Sequence, residues 1–226
     1  MTARPPGDRP HLLVDDLAAP VLDDDAAHHW IRVRRLRAET SVTITDGQGR
    51  WRAARFGADA SLAVDGEVVA VPRPDPVTVA FALTKGSKPD LVIQKLTEQG
   101  VDRIVPIIAA HSVVRWDDAK AEAQWERWWV IARNAIEQSM GVFLPVIDRL
   151  GSVVTAAGIG ARRLDRDGTP WDRSITAVAV GPEGGWADDE RDLLGPAVSL
   201  SANVLRAETA AITVGGILTA VREGVV

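Results

Sequence analysis

The chain of 226 residues contains no cysteine. Disulfides, cysteine-ligated zinc and thiol nucleophiles are therefore excluded, and a reducing compartment is the natural setting. No window approaches the roughly 18 consecutive apolar residues that a membrane-spanning helix needs. The opening stretch MTARPPGDRP follows its arginines with no apolar run, which argues against a secretory signal. Two nucleotide-binding signatures are missing as well. No lysine follows a glycine loop in the manner of G-x-x-x-x-G-K-[ST], and GIGARR, starting at Gly158, lacks the third glycine of G-x-G-x-x-G. A P-loop and an ordinary nicotinamide or flavin site are unsupported. The expectation is a soluble cytoplasmic protein that needs no metal.

What is present begins with an apolar fraction of 46%, ordinary for a globular core. The net charge of −5 argues against nucleic-acid binding over the whole surface. A local excess runs the other way. Seven arginines lie between His28 and Arg55 (Arg32, Arg34, Arg35, Arg37, Arg50, Arg52, Arg55) against two acids, Glu39 and Asp46. The cluster is either a phosphate-contacting patch or a solvated face balanced by the acidic run Asp23–Asp25.

The stretch VPRPDP, Val71 to Pro76, holds three prolines and reads as a stiff linker, dividing the chain into 1–72 and 73–226. Before it the signals are mostly strands. SVTITDGQGRWRAARF has two alternating runs around Asp46-Gly47-Gln48-Gly49, a hairpin, and LAVDGEVVAV adds a strand. A short helix over Asp24–Val33 carries His28, His29 and Arg32. After the linker, strands (Val77–Leu83, Arg103–Ala109, Ala177–Val180) alternate with helices, as in a parallel sheet covered by helices. One helix spans SKPDLVIQKLTEQG, with Ser87 as N-cap, Asp90 three residues on and Gly100 as its stop. A long helix follows over AKAEAQWERWWVIARNAIEQS, where Trp125, Trp128 and Trp129 share one face and read as packing. Two more helices run from about Asp188 to Leu194 and from about Glu208 to Arg222.

Ligands of such sheets bind beyond the C-terminal ends of strands. AVAVGPEGGWADDE, Ala177 to Glu190, has a strand emptying into a turn of three glycines there. Main chain without Cβ atoms can approach a ligand closely, although GPEGG alone is more often a tight structural turn. Three further segments add to it: ALTKGSKPDLVIQKLTEQGVDRIVP, NAIEQSMGVFLP and VLRAETAAITVGGILTAV. In the last, Ala207, Ala210, Ala211, Gly215 and Gly216 allow close helix packing, whereas Arg206, Glu208 and Thr209 are harder to explain that way.

The order K-G-x-K, Q-K-x-T-E-x-G, E-Q-S, G-P-E-G-G and L-R-x-E-T-A-A resembles the RsmE family, SPOUT-superfamily enzymes that methylate N3 of a uridine in 16S ribosomal RNA of the small subunit. HHWIRVRRLRAETSVTITDGQGR resembles the family's N-terminal RNA-binding segment. The resemblance implies an α/β protein: a PUA-like β-barrel, then a SPOUT domain with a deep trefoil knot, assembled as a homodimer and using S-adenosyl-L-methionine (SAM). It implies cofactor contacts at Leu83 and Thr84, at Gly181, Pro182, Glu183, Gly184 and Gly185, and at Leu200, Ser201, Leu205, Arg206 and Thr209. Leu83, Leu200 and Leu205 would wall the adenine, and Glu183 would either balance the sulfonium or orient its loop.

Uridine N3 must lose a proton before it attacks a methyl group, so most of the rate should come from positioning and from stabilising a uracil anion. Arg206 is the first candidate for that stabilisation. Glu137, Gln138, Ser139 and Glu208 are candidates for orienting the base or relaying its proton. No histidine lies beside a cofactor motif, and no general base is assigned. RNA contacts are expected at Arg9, His28, His29, Arg32, Arg34, Arg35 and Arg37. The chain departs from the family pattern at Met140-Gly141, where a basic residue is usual, at Ser201, where glycine is, and at His11-Leu12, where an aromatic is common. A methyltransferase of another RNA site, or a non-catalytic RNA-binding protein, are the alternative readings.

Overall fold

The computed structural model of the protein describes residues 4–226, so the start of the MTARPPGDRP stretch lies outside it. The described chain forms two compact units: residues 4–73 with Ile136–Leu144, and Pro74–Ala135 with Pro145–Val226.

The first unit is built on a four-stranded sheet in the order β1-β2-β3-β4. β1 (His11–Leu13) lies parallel to β2 (Thr40–Thr45), and β2, β3 (Arg50–Phe56) and β4 (Leu62–Ala70) are antiparallel. The expected hairpin joins β2 to β3. Asp46 fixes it by accepting the backbone N–H groups of Gln48 (2.8 Å) and Arg50 (3.2 Å), while Gly47 and Gly49 take φ of +69° and +94°. Leu12, Val42, Ile44, Ala54 and Phe56 form the core with Trp30. Trp30 belongs to a π-helical segment, His29–Val33, that continues α1 (Asp24–His28). Asp23 caps α1 by accepting from the Ala26 N–H at 2.7 Å.

His11 is buried at 1% exposure in this core, where the family pattern favours an aromatic. Its Nε2 lies 2.8 Å from the Gly141 carbonyl, which can only accept, so the proton sits on Nε2. Nδ1 then accepts from the Thr43 hydroxyl at 2.7 Å. The two departures at His11 and at Met140-Gly141 thus meet in one hydrogen bond. Burial pushes the His11 pKa below its ordinary value, against the raising effect of the Gly141 bond. The neutral ring is the folded form, so the unfolded chain binds more protons as pH falls below the ordinary histidine range. Stability is therefore expected to be full above about pH 6.5 and to decline below it. Denaturant titrations at about pH 7 and about pH 5 test this, because the loss should shrink in His11→Gln. Equal losses in parent and variant would clear His11.

In the second unit every strand pairing is parallel, in the order β11-β9-β10-β5-β6-β7, with β8 also on β6. The strands are β5 (Thr78–Ala82), β6 (Arg103–Ile108), β7 (Val146–Ile147), β8 (Gly151–Ser152), β9 (Arg162–Thr169), β10 (Ala177–Val180) and β11 (Ala197–Val198). The helices are α2 (Lys88–Gln99), α3 (Asp118–Ser139), α4 (Val153–Gly158), α5 (Asp188–Leu194) and α6 (Ala207–Arg222). The residues of β5, β6 and β10 are nearly all buried, which explains their continuous apolar runs.

Gly100 ends α2 in the left-handed conformation at φ +81°, as its position predicts. The start of α2 differs from expectation. Ser87 makes no side-chain capping bond, and Pro89 in the first turn needs none. Asp90 instead accepts from Gln124 Nε2 (2.7 Å), Arg127 Nε (2.9 Å) and Trp128 Nε1 (3.1 Å) of α3. Trp128 is buried against Phe81 and Trp116, and Trp125 and Trp129 meet edge to face. The small residues of α6 meet α2 closely: a Cβ on Gly215 would fall 2.4 Å from Leu96 Cδ2.

Candidate active site

β10 delivers the chain into Gly181-Pro182-Glu183-Gly184-Gly185, and the Gly185 N–H closes that turn on the Pro182 carbonyl at 2.9 Å. Gly181 must be glycine because a Cβ would stand 2.8 Å from the Trp186 indole. Trp186 is itself buried and fixed by its Nε1 donating to the Leu164 carbonyl at 3.1 Å. Gly185 holds φ +74°, where side chains are strained. On one flank, His111 Nδ1 lies 3.1 Å from both the Gly184 and Gly185 carbonyls and donates to them. The adjoining Ala110 N–H donates to Glu190 Oε1 at 2.7 Å, and Glu190 Oε2 accepts the Ala187 N–H at the start of α5.

A cavity of about 230 Å³ opens beside this turn. Its walls are Leu164, Asp165 and Arg166 of β9, Val180 to Glu183, Gly185, Trp186 and Arg191, then Leu200, Ser201, Asn203, Val204 and Leu205, with Ala207 and Ala210 of α6. The wall is largely apolar, and its charges are Asp165 and Glu183 against Arg166 and Arg191. Asp165 is engaged with Arg163 (2.7 Å) and Arg191 (3.3 Å). The family implies SAM here, a molecule with an adenine, a sulfonium cation and an amino-acid zwitterion, and the wall fits it. Branched side chains suit the ring, carboxylates of either flank suit the cations, and Gly185 presents only main chain, with no protein atom within 4 Å of where a Cβ would be.

Of the cofactor residues expected from the sequence, Gly181, Pro182, Glu183, Gly185, Leu200, Ser201 and Leu205 line this cavity. Leu83 and Thr84 are buried just beyond β5 and do not line it, and neither do Gly184, Arg206 or Thr209. A Cβ on Gly184 would meet His111 Cβ at 2.9 Å, so its lack of a side chain serves that contact. Arg206 is the N-cap of α6, is exposed, and makes no ion pair among the described residues.

Glu208, in the first turn of α6, is only 12% exposed, and its Oε2 is buried without a hydrogen-bond partner. The cation near it is Lys88, whose Nζ lies 3.3 Å from Glu208 Oε2 and 3.3 Å from Glu183 Oε1. The bond to Glu183 first, and the Glu208 carboxylate with it, raises the Lys88 pKa above the ordinary lysine value. Lys88 was not among the residues the sequence singled out, nor were His111, Asp165, Arg166 and Arg191. The second lysine of K-G-x-K was the available signal for Lys88; nothing marked the others.

Glu137, Gln138 and Ser139 end α3 and are part of the first unit. Glu137 Oε1 accepts the Leu13 N–H at 3.0 Å, Ser139 Oγ donates to the Ile136 carbonyl at 3.4 Å, and Gln138 is exposed. Met140 follows at φ +59°, turning the chain out of the helix. The arginine cluster splits in two. Arg50 pairs with Asp46, Arg52 donates to the Leu17 carbonyl, and Arg55 lies near Glu39 and Asp65. Arg32, Arg34, Arg35 and Arg37 are exposed and make no ion pair among the described residues; Arg34 stacks over the Trp30 ring at 5.6 Å. His28 ends α1 and His29 begins the π-helical segment, and Arg9 stands 3.9 Å from Asp8. Among the described residues no group of three or more His, Asp or Glu side chains is placed to hold a metal, and no helix is long and apolar enough to cross a membrane.

A family model described as an RNA methyltransferase domain matches residues 71–158 and 161–219, and one described as an RNA methyltransferase PUA domain matches 22–60. The ribosomal RNA small subunit methyltransferase E of Mycobacterium bovis is 34% identical, over 92% of this chain and 89% of its own. A methyltransferase of Legionella pneumophila, solved with bound SAM, superposes with a TM-score of 0.82 at 26% identity, covering 94% of this chain and 96% of that one. An rRNA methyltransferase of Porphyromonas gingivalis gives 0.78 at 28% identity, covering 96% and 100%. With its motifs in order, a glycine turn walling a cavity, and relatives matched over nearly their full length, the chain belongs to the RsmE family of ribosomal RNA small subunit methyltransferases.

Proposed function

We propose that the protein transfers a methyl group from SAM to N3 of a uridine in 16S ribosomal RNA of the small subunit. The observation that carries the reading is the cavity at the end of β10, where the glycine turn, the Leu200–Leu205 loop and the start of α6 converge. SAM supplies an electrophilic methyl group on a sulfonium. Leu200 and Leu205 wall the adenine, the main chain of Gly181 and Gly185 closes against the ligand, and Glu183 provides negative charge. Leu83, Thr84, Gly184 and Thr209 support these segments. Arg206 orients the uracil and stabilises the charge it develops when N3 loses its proton, with Glu208 beside it on α6. Glu137, Gln138 and Ser139 keep their proposed part in orienting the base.

The proposed division of labour follows the proline-rich linker. Residues 1–72 form a PUA-like barrel that grips RNA through Arg9, His28, His29, Arg32, Arg34, Arg35 and Arg37, and residues 73–226 form a SPOUT domain whose chain passes through a trefoil knot. The protein acts as a homodimer in the cytoplasm.

The decisive experiment is methylation of small subunits purified from cells lacking this activity, with the modified nucleotide mapped by mass spectrometry. One added methyl group at N3 of a 16S uridine is expected. A different nucleotide would redirect the substrate, and no transfer at all would end the reading. In the same assay the triple variant Arg32→Ala, Arg34→Ala, Arg35→Ala should bind RNA more weakly with a flatter salt dependence, since fewer counterions are released. An unchanged salt slope would make those arginines a solvated face.

A further inference from the structure

Two carboxylates face one ammonium group at the edge of the cavity. Glu183 lies in the turn that walls it, Glu208 in the first turn of α6 between the wall residues Ala207 and Ala210, and Lys88 Nζ is 3.3 Å from each. Lys85, the other lysine of this turn, makes no ion pair among the described residues. An exposed ion pair is ordinarily worth little. This one differs, because Glu208 is nearly buried and its Oε2 has no hydrogen-bond donor. Without Lys88, two like charges on separate segments would be left to repel each other beside the cavity.

We infer that Lys88 is a positioning residue of the cofactor site, holding Glu183 and Glu208 in place and offsetting one of their two charges. By that offset it sets how strongly the cavity prefers the sulfonium cation to the neutral thioether left after transfer. The inference rests on the methyl-transfer reading above. Within this cluster, two acids and one base leave a net of one negative charge, high enough to favour the substrate and low enough to limit its grip. Removing the base doubles that charge; removing one acid cancels it.

Calorimetry with SAM and with S-adenosylhomocysteine tests this on the full-length protein, beside ligand-free melts. Lys88→Met should shift the ratio of the two affinities toward SAM by about three- to tenfold. Lys88→Arg should keep the parental ratio, and Glu208→Gln should shift it toward S-adenosylhomocysteine. These opposite signs are what a merely structural contact would not produce. If Lys88→Met does not fold, the other two variants decide the matter. Equal weakening of both ligands in Lys88→Met, or ratios that move the same way in Lys88→Met and Glu208→Gln, would overturn the inference while leaving methyl transfer intact. A parent protein that binds neither ligand would overturn both.

Discussion

Replacing Arg206 with alanine is expected to slow methyl transfer by about 10²-fold or more, the size of losing one preorganised electrostatic group. Cofactor affinity and melting temperature should stay near the parent. A rival explanation for this arginine is structural, a partner for Glu183 or Glu208 that ties the loops together. Lys88 already takes both carboxylates. Arg206 caps α6 with extended backbone (φ −66°, ψ 152°) and no side-chain capping bond, so truncation removes no contact that holds the helix. Its neighbours Leu205 and Ala207 both line the cavity, which sets an unpaired cation at its margin. Single-turnover transfer of labelled methyl groups, run beside thermal melts, decides the point. Transfer at the parental rate would remove Arg206 from the site, and joint loss of cofactor binding and melting temperature would restore the structural explanation.

The largest stability effect should come from the opposite end of α6. Asp102→Asn is expected to destabilise the protein by about 3 kcal/mol, because it takes the nearer carboxylate from a nearly buried guanidinium and leaves it only the more exposed Glu223, 3.5 Å away. Arg222 and Asp102 are 9% and 4% exposed and meet at 2.7 Å. Asp102 Oδ2 also accepts the Val77 N–H at 2.9 Å, and Arg222 Nη2 donates to the Gly100 carbonyl at 3.2 Å. One carboxylate thereby joins the last turn of α6 to the approaches of β5 and β6. Asparagine keeps the shape and loses the charge, which isolates the electrostatic part. Urea unfolding measures it. A loss below about 1 kcal/mol would class the pair with weak surface bridges.

What could be read in advance followed from local physics. The Ala177–Val180 run had to be buried because it is apolar on both faces, and Gly100 could end α2 because glycine tolerates positive φ. The α5 boundaries, Asp188 to Leu194, were legible from the acidic first turn. β9 was not. Arg162 to Thr169 is almost wholly polar, and it serves as an inner strand because Arg163 and Asp165 neutralise each other and Arg191 joins them. With β9 unseen, the cavity wall formed by Leu164, Asp165 and Arg166 was unseen too. Strands of two or three residues, such as β1, β7, β8 and β11, carry too few positions to show a period. His111 and Lys88 act through partners far away in the chain, which no window of sequence contains.

The segment Ile136–Leu144 has a consequence for the order of assembly. It is part of the first unit, fastened there by bonds that span 124 and 130 residues, from Glu137 to the Leu13 N–H and from His11 to the Gly141 carbonyl. Leu144 also donates to the Gly47 carbonyl, at the hairpin. Domains usually fold in turn as they leave the ribosome, N-terminal first. Here the N-terminal sheet lacks part of its own packing until residue 144 has emerged, by which time β5, α2, β6 and all of α3 have been made. Its closure also carries the entropy of a loop more than a hundred residues long. The nascent chain therefore waits with its N-terminal half unfinished until residue 144 is made, when the second unit still lacks Pro145–Val226.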